Sequence, residues 1–175
     1  MPKCKVCKQT FDRVRPLQAV CSPICALQLA QTKRKQAERK AYRVAKEKIK
    51  TRSDYMREAQ TALNAWIRLV RDKDEPCISC GRHHSGQYHA GHYRSRGAMP
   101  MLALEPRNIH KQCSICNNHK SGNLTEYRIR LLAKVGQAEL DWLEGPHEPK
   151  KYTIEDLRQI RDEYRMRLRQ AKKCP

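Results

Sequence analysis

A chain of 175 residues with 39% apolar residues, one Phe and 31% charged residues has room for one small core with extensions, and not for two large cores. Its formal charge of +19 is more than solubility requires and fits a polyanion whose condensed counterions are released on binding, so nucleic acid is the expected partner. No apolar run reaches the roughly 20 residues of a spanning helix and no signal-peptide pattern is present, so no membrane partner is expected and the expected compartment is the cytoplasm.

A core this small calls for a staple, and the cysteines supply it. Eight of the nine fall in short pairs with no export signal beside them, a pattern of thiolate metal sites rather than disulfides. Residues 1–26 hold the first quartet, Cys4, Cys7, Cys21 and Cys25, read as a small zinc knuckle with Phe11 and Leu17 as its minimal apolar filling. It acts either as a structural staple or as a DNA contact.

Over residues 27–52 the composition turns to Lys, Arg, Gln, Ala and Glu with no Gly or Pro, which predicts a long polar helix. Between Lys33 and Arg52 ten Lys or Arg face two Glu. Uncompensated like charge favours a basic arm along the phosphate backbone, through Lys33, Arg34, Lys35, Arg39, Lys40, Arg43 and Lys46, over a solvated linker. Ser53 is the expected N-cap of the next helix, whose Tyr55, Ala59, Ala62, Leu63, Trp66, Ile67 and Val70 form one apolar face. Asp72 to Pro76 ends it.

Cys77-Ile78-Ser79-Cys80 and Cys113-Ser114-Ile115-Cys116, thirty-two residues apart, offer four sulfurs to a second zinc. Between and after them lie His89, His92, Asn108, His110, Asn117 and His119, imidazole and amide groups suited to base catalysis and to a harder cation. His83 and His84 are read as surface residues, and His119 is left without a role. Leu124 to Val135 then reads as a helix stopped by Gly136, a short helical turn breaks at Gly145-Pro146, and Thr153 with Asp156 forms a capping box. The last helix carries a narrow stripe (Leu157, Ile160, Tyr164, Leu168) that packs either on the domain or on a partner subunit, and Cys174 is expected to be a free thiol.

On Cys77-Ile78-Ser79-Cys80-Gly81, Ala90-Gly91-His92-Tyr93-Arg94, Asn108-Ile109-His110-Lys111-Gln112-Cys113 and Cys116-Asn117 through His119-Lys120-Ser121-Gly122-Asn123, the chain resembles the HNH, or ββα-metal, nuclease family. Within that family it is similar to the recombination endonucleases of lambdoid phages. The resemblance implies an α+β fold: a zinc-stapled, treble-clef-like ββα-metal core with flanking helices and an N-terminal zinc knuckle, the nuclease domain at 53–145 and a C-terminal helix at 146–175. It implies two structural Zn²⁺ and a catalytic Mg²⁺ or Mn²⁺, with cleavage of Holliday junctions, D-loops and forks to 5′-phosphate and 3′-hydroxyl ends. Residue by residue, it gives His92 as general base, Asn108 as the brace that orients it, Asn117 as metal ligand and Lys120 facing the phosphate, with Arg94 and Arg96 on DNA. Many members carry Asp before the base where this chain has Gly91, so that ligand role passes to His89 first or else to His110. A homodimer and phage or host recombination proteins are further expected partners. Two other readings stay open, an HNH nickase or restriction-type enzyme on linear duplex and a non-catalytic zinc DNA-binding module.

Overall fold

The computed structural model describes residues 1–173, and Cys174 lies outside them. Two units are built separately, the first being Met1–Lys50 and the second beginning at Thr51.

In the first unit the chain turns tightly on itself, with Cys4 N–H donating to the Gln9 carbonyl and Lys5 N–H to that of Ala19. Helix α1 (Pro23–Lys48) starts where the Ser22 hydroxyl accepts the Cys25 N–H and Pro23 presets the first turn. That cap places Cys25 one turn after Cys21. Of the helix only Cys25 is buried, so the expected polar arm has no packed stripe. Leu17 corrects one expectation: it is 91% exposed and fills nothing. A loop this short is held by backbone bonds and sulfur, and its turn at Leu17 has a positive φ that carries the side chain outward.

The second unit mixes helices with one two-stranded sheet. Helix α2 (Arg52–Trp66) is capped by Thr51, not Ser53. Thr51 has Asp54 at the third helical position and closes a reciprocal capping box, whereas Ser53 would face Met56 there. A π-type turn, Ile67–Arg71, prolongs the helix to Asp72. Strands β1 (Tyr88–His92) and β2 (Ile109–Cys113) pair antiparallel, with Tyr88 opposite Cys113 and His92 opposite Ile109. A second π-type turn, Ile115–His119, leads to α3 (Leu124–Val135), α4 (Gln137–Glu144) and α5 (Ile154–Ala171).

The hairpin lies between two apolar clusters. On one side Ala59 and Leu63 of α2 and Ile67 of the turn after it pack with Ile109, Leu157 and Tyr164, with Ala90 against them. On the other, Tyr127 and Leu131 of α3 meet Leu140 and Leu143 of α4 with Tyr93 and Leu102. The stripe of α5 therefore packs within its own chain: Trp66 and Tyr164 stack at 5.1 Å and Arg161 donates to Glu58 at 3.0 Å. Asp72, 2% exposed, joins helix to sheet by accepting the Lys111 N–H at 3.0 Å and an Arg71 N–H at 2.7 Å, while Arg71 also donates to the Pro106 carbonyl at 2.8 Å.

Because Leu157 is fully buried in that seam, Leu157→Ala is expected to lower the unfolding free energy by about 2–5 kcal/mol, measured by urea denaturation of the zinc-loaded protein.

Candidate functional site

Both cysteine quartets converge. In each, the four Sγ atoms lie within 4.8 Å of one another, and four sulfurs about 2.3 Å from a tetrahedral zinc would be about 3.8 Å apart, so the donor sets fit the ion. In the first, Cys7 and Cys21 Sγ are 3.5 Å apart and Cys21 and Cys25 Sγ 3.7 Å apart. Thiols this close cannot all ionise without a cation between them. Hydrogen bonding to Cys7, with burial, pushes the Cys21 thiol up to about 12. Burial opposes ionisation of Cys4 as well, but the backbone N–H groups of Cys7, Val6 and Cys21 outweigh it and bring that thiol down to about 6. In the second, Cys113 N–H donates to Cys77 Sγ at 3.3 Å, and Asn123 Nδ2 donates to Cys116 Sγ at 3.8 Å. Gly81, at φ +67° after this knuckle, sits in the left-handed region that favours glycine, and the end of the Arg130 side chain lies over its open face.

His92 closes the far end of β1. Its Nε2 is 3.1 Å from the Ala103 carbonyl oxygen, which only accepts, so Nε2 carries the proton and Nδ1 keeps its lone pair. Burial holds the imidazole pKa below the ordinary histidine value, against the pull of the Ala103 carbonyl, and Arg96 lowers it further. Asn108 is fully buried and clips together the loop that carries Ala103. Its Oδ1 accepts the Arg94 N–H at 2.7 Å, and its Nδ2 donates to the carbonyls of Arg94 at 3.0 Å and Leu102 at 3.1 Å.

Strand alternation separates the remaining groups. His89 and Gly91 share a face with Gln112 and His110, toward α3, whereas His92 faces α2. His89 Nε2 is buried with no hydrogen-bond partner. His110 is turned into the core, where its Nδ1–H donates to Tyr127 Oη at 3.1 Å and Tyr127 in turn donates to the Gly91 carbonyl at 3.0 Å. Burial, with Arg71 nearby, pushes its pKa down to about 3. Asn117 is half-buried in the second π-type turn and donates to Asn118 at 2.7 Å, while Lys120, exposed, caps that turn. Among the described residues no hydrogen bond joins His92 to Asn117. Arg94 is half-buried, and Arg96 and the seven basic residues singled out on α1 are exposed.

Three side chains at these sites escaped the reading of the sequence. Gln60 of α2, 6% exposed, brings its Nε2 to 3.4 Å from His92 Nε2 and donates to Asn64 Oδ1 at 2.8 Å. A Gln inside an apolar stripe was the available signal. Gln112, 1% exposed, donates to Ser79 Oγ at 2.6 Å and the Gly122 carbonyl at 2.5 Å. Its Oε1 lies 2.0 Å from where a Cβ on Gly91 would stand. The space an aspartate would take at position 91 is therefore filled from β2. His84, read as a surface residue, has Nε2 3.2 Å from Cys80 Sγ.

Compared with known proteins, residues 1–174 match the family model described as Bacteriophage Lambda NinG protein. The chain belongs to the NinG family. It is 40% identical to Protein ninG of Escherichia phage 933W, covering 95% of this chain and 92% of that protein. It is 39% identical to the Protein ninG of Escherichia phage lambda (93% and 88% covered) and to that of Salmonella phage P22 (93% and 89%). No solved structure matches. Both cysteine quartets, the hairpin and all five helices fall inside the span matched to the NinG family. No helix among the described residues is long and apolar enough to cross a membrane.

Two measurements test the packing around this NinG-family hairpin. Gly91→Ala should cost about 1–3 kcal/mol by overpacking against Gln112. Adding Gln112→Ala should remove part of that penalty, so the double variant loses less than the two single losses summed, read from urea unfolding. Because the folded-state pKa of His110 is depressed, the unfolded chain takes up the proton first as pH falls. The stability is present above about pH 6.5 and is lost between there and about 3. His110→Gln should flatten the fall in unfolding free energy between pH 7 and 5 relative to wild type.

Proposed function

We propose that this chain is a metal-dependent, structure-selective DNA endonuclease of the HNH type, acting on branched recombination intermediates such as Holliday junctions, D-loops and forks. The observation that carries the reading is the environment of His92: a neutral imidazole, its Nε2–H fixed on the Ala103 carbonyl and its Nδ1 free to take a proton. The family membership, the two zinc-ready quartets and the charge of +19 agree with it.

In this mechanism His92 Nδ1 removes a proton from the water that attacks phosphorus. Asn108 holds the Arg94–Leu102 loop so that the ring keeps its tautomer, and Gln60 flanks the ring from α2. The Asn117 carboxamide is a donor that suits Mg²⁺ or Mn²⁺ and would hold it, whereas His89, on the opposite face of β1 from His92, keeps its unpartnered Nε2 in the layer toward α3. Such a cation, when bound, stabilises charge on the phosphate and the leaving oxygen. Lys120 and Arg94 add positive charge for the strand. Two cuts on a four-way junction would take two copies of the chain, a homodimer on the DNA. The cytoplasm of the bacterial host, beside phage or host recombination proteins, is the setting of this reading.

His92→Ala should lower the cleavage rate by about 10²–10⁴ while leaving junction affinity nearly unchanged, assayed on labelled four-way junction, fork and linear duplex with Mg²⁺, Mn²⁺ or EDTA. With the imidazole pKa below about 6.5, the acid limb of the wild-type rate should fall below that pH. Binding without cleavage under any metal would leave a zinc DNA-binding module, and equal rates on duplex and junction would point to a nickase.

A further inference from the structure

The polar face of α2 is not plain solvated surface. Ser53, Arg57, Gln60, Thr61 and Asn64, with one methionine, line a cleft of ≈ 360 Å³ whose remaining wall is Arg96 from the loop after β1. Gln60 belongs both to the cleft and to the shell of His92, since its Nε2 is 3.4 Å from the imidazole. The cleft thus runs up to the ring that the proposed chemistry uses. Arg57 gives one N–H to Asp54 at 2.6 Å and its side chain stays 73% exposed. Arg96 has no acidic partner among the described residues, and it acts electrostatically on His92. Two guanidiniums joined by a Ser, a Thr and two carboxamides make up the side-chain set that contacts phosphate oxygens. No aromatic ring lines the cleft to stack a base, so the chemistry suits a backbone and not a sequence.

We propose that this cleft seats one phosphodiester of the DNA strand presented to His92, gripped by Arg57 and Arg96 and by the hydroxyl and amide groups of Ser53, Thr61 and Asn64. The inference rests on the nuclease reading for the direction of the strand toward the imidazole, but its contacts are measured by binding alone. It moves one determinant of DNA positioning from the basic arm to the helix that also builds the core.

The test uses the full chain, zinc-loaded, in Ca²⁺ buffer, with binding of labelled four-way junction and linear duplex followed as a function of salt. Arg57→Gln and Arg96→Gln should each weaken binding several-fold and reduce the slope of log K against log salt by about 1, to similar extents on unrelated sequences. Arg169→Gln, on the exposed side of α5, should leave both unchanged. A benzoylphenylalanine photocrosslinker at Thr61 should capture DNA, and the same group at Gln170 should not. Circular dichroism and thermal melting check that each variant is folded. Unaltered slopes, or no more crosslinking from position 61 than from 170, overturn the assignment. Wild-type cleavage with that outcome leaves the nuclease reading standing. The expected slopes and crosslinks with no cleavage in Mg²⁺ or Mn²⁺ keep the cleft and remove the nuclease, and a chain that binds no DNA removes both.

Discussion

Four sulfur atoms drawn to one point close one end of the central hairpin. Two five-residue strands are marginal in water by themselves, and the loop between them packs its Tyr93, Leu102 and Leu104 into the two apolar clusters only at the His92 end. Cys113 ends β2 and meets Cys77, Cys80 and Cys116 there, so a quartet that could hold a metal ion closes the first end of the ladder. Asn108 fixes the other by three hydrogen bonds across the loop. Held at both ends, the strands keep a register in which a slip of one residue would exchange the faces of His89 and His92.

The faces so defined differ in chemistry. Toward α2 the hairpin presents Ala90, His92 and Ile109 to a core shared with α5, and toward α3 it presents a polar layer unusual for an interior. There the chain His110, Tyr127, Gly91 carbonyl runs beside Gln112 on Ser79 and Gly122. Nearly every donor in that layer has a partner, which is the condition for burying it. His89 Nε2 is the exception.

What the sequence made legible was local. The cysteine pairs, the uniform polarity of α1, the apolar stripe of α2, the stop at Gly136 and the Thr153 capping box all depend on residues within a turn or two of each other. Even the misplaced cap at Ser53 is a local matter, since counting three residues on from Thr51 finds Asp54. What stayed hidden was assembled across distance. The docking of α5 on α2, the burial of Asp72, the reach of Gln60 to His92 and the filling of the Gly91 space by Gln112 join residues 21 to 103 positions apart, and no periodicity records them. Leu17 shows the opposite error, an apolar residue in a loop too small to bury it.

Helix α2 turns one stripe to α5 and the other to the cleft, with Gln60 at the boundary. The tail of the chain is thus a splint for the imidazole: Arg161 and Tyr164 brace Glu58 and Trp66, on either side of the residue that touches His92. A change in how α5 seats on α2 would therefore reach His92 through Gln60.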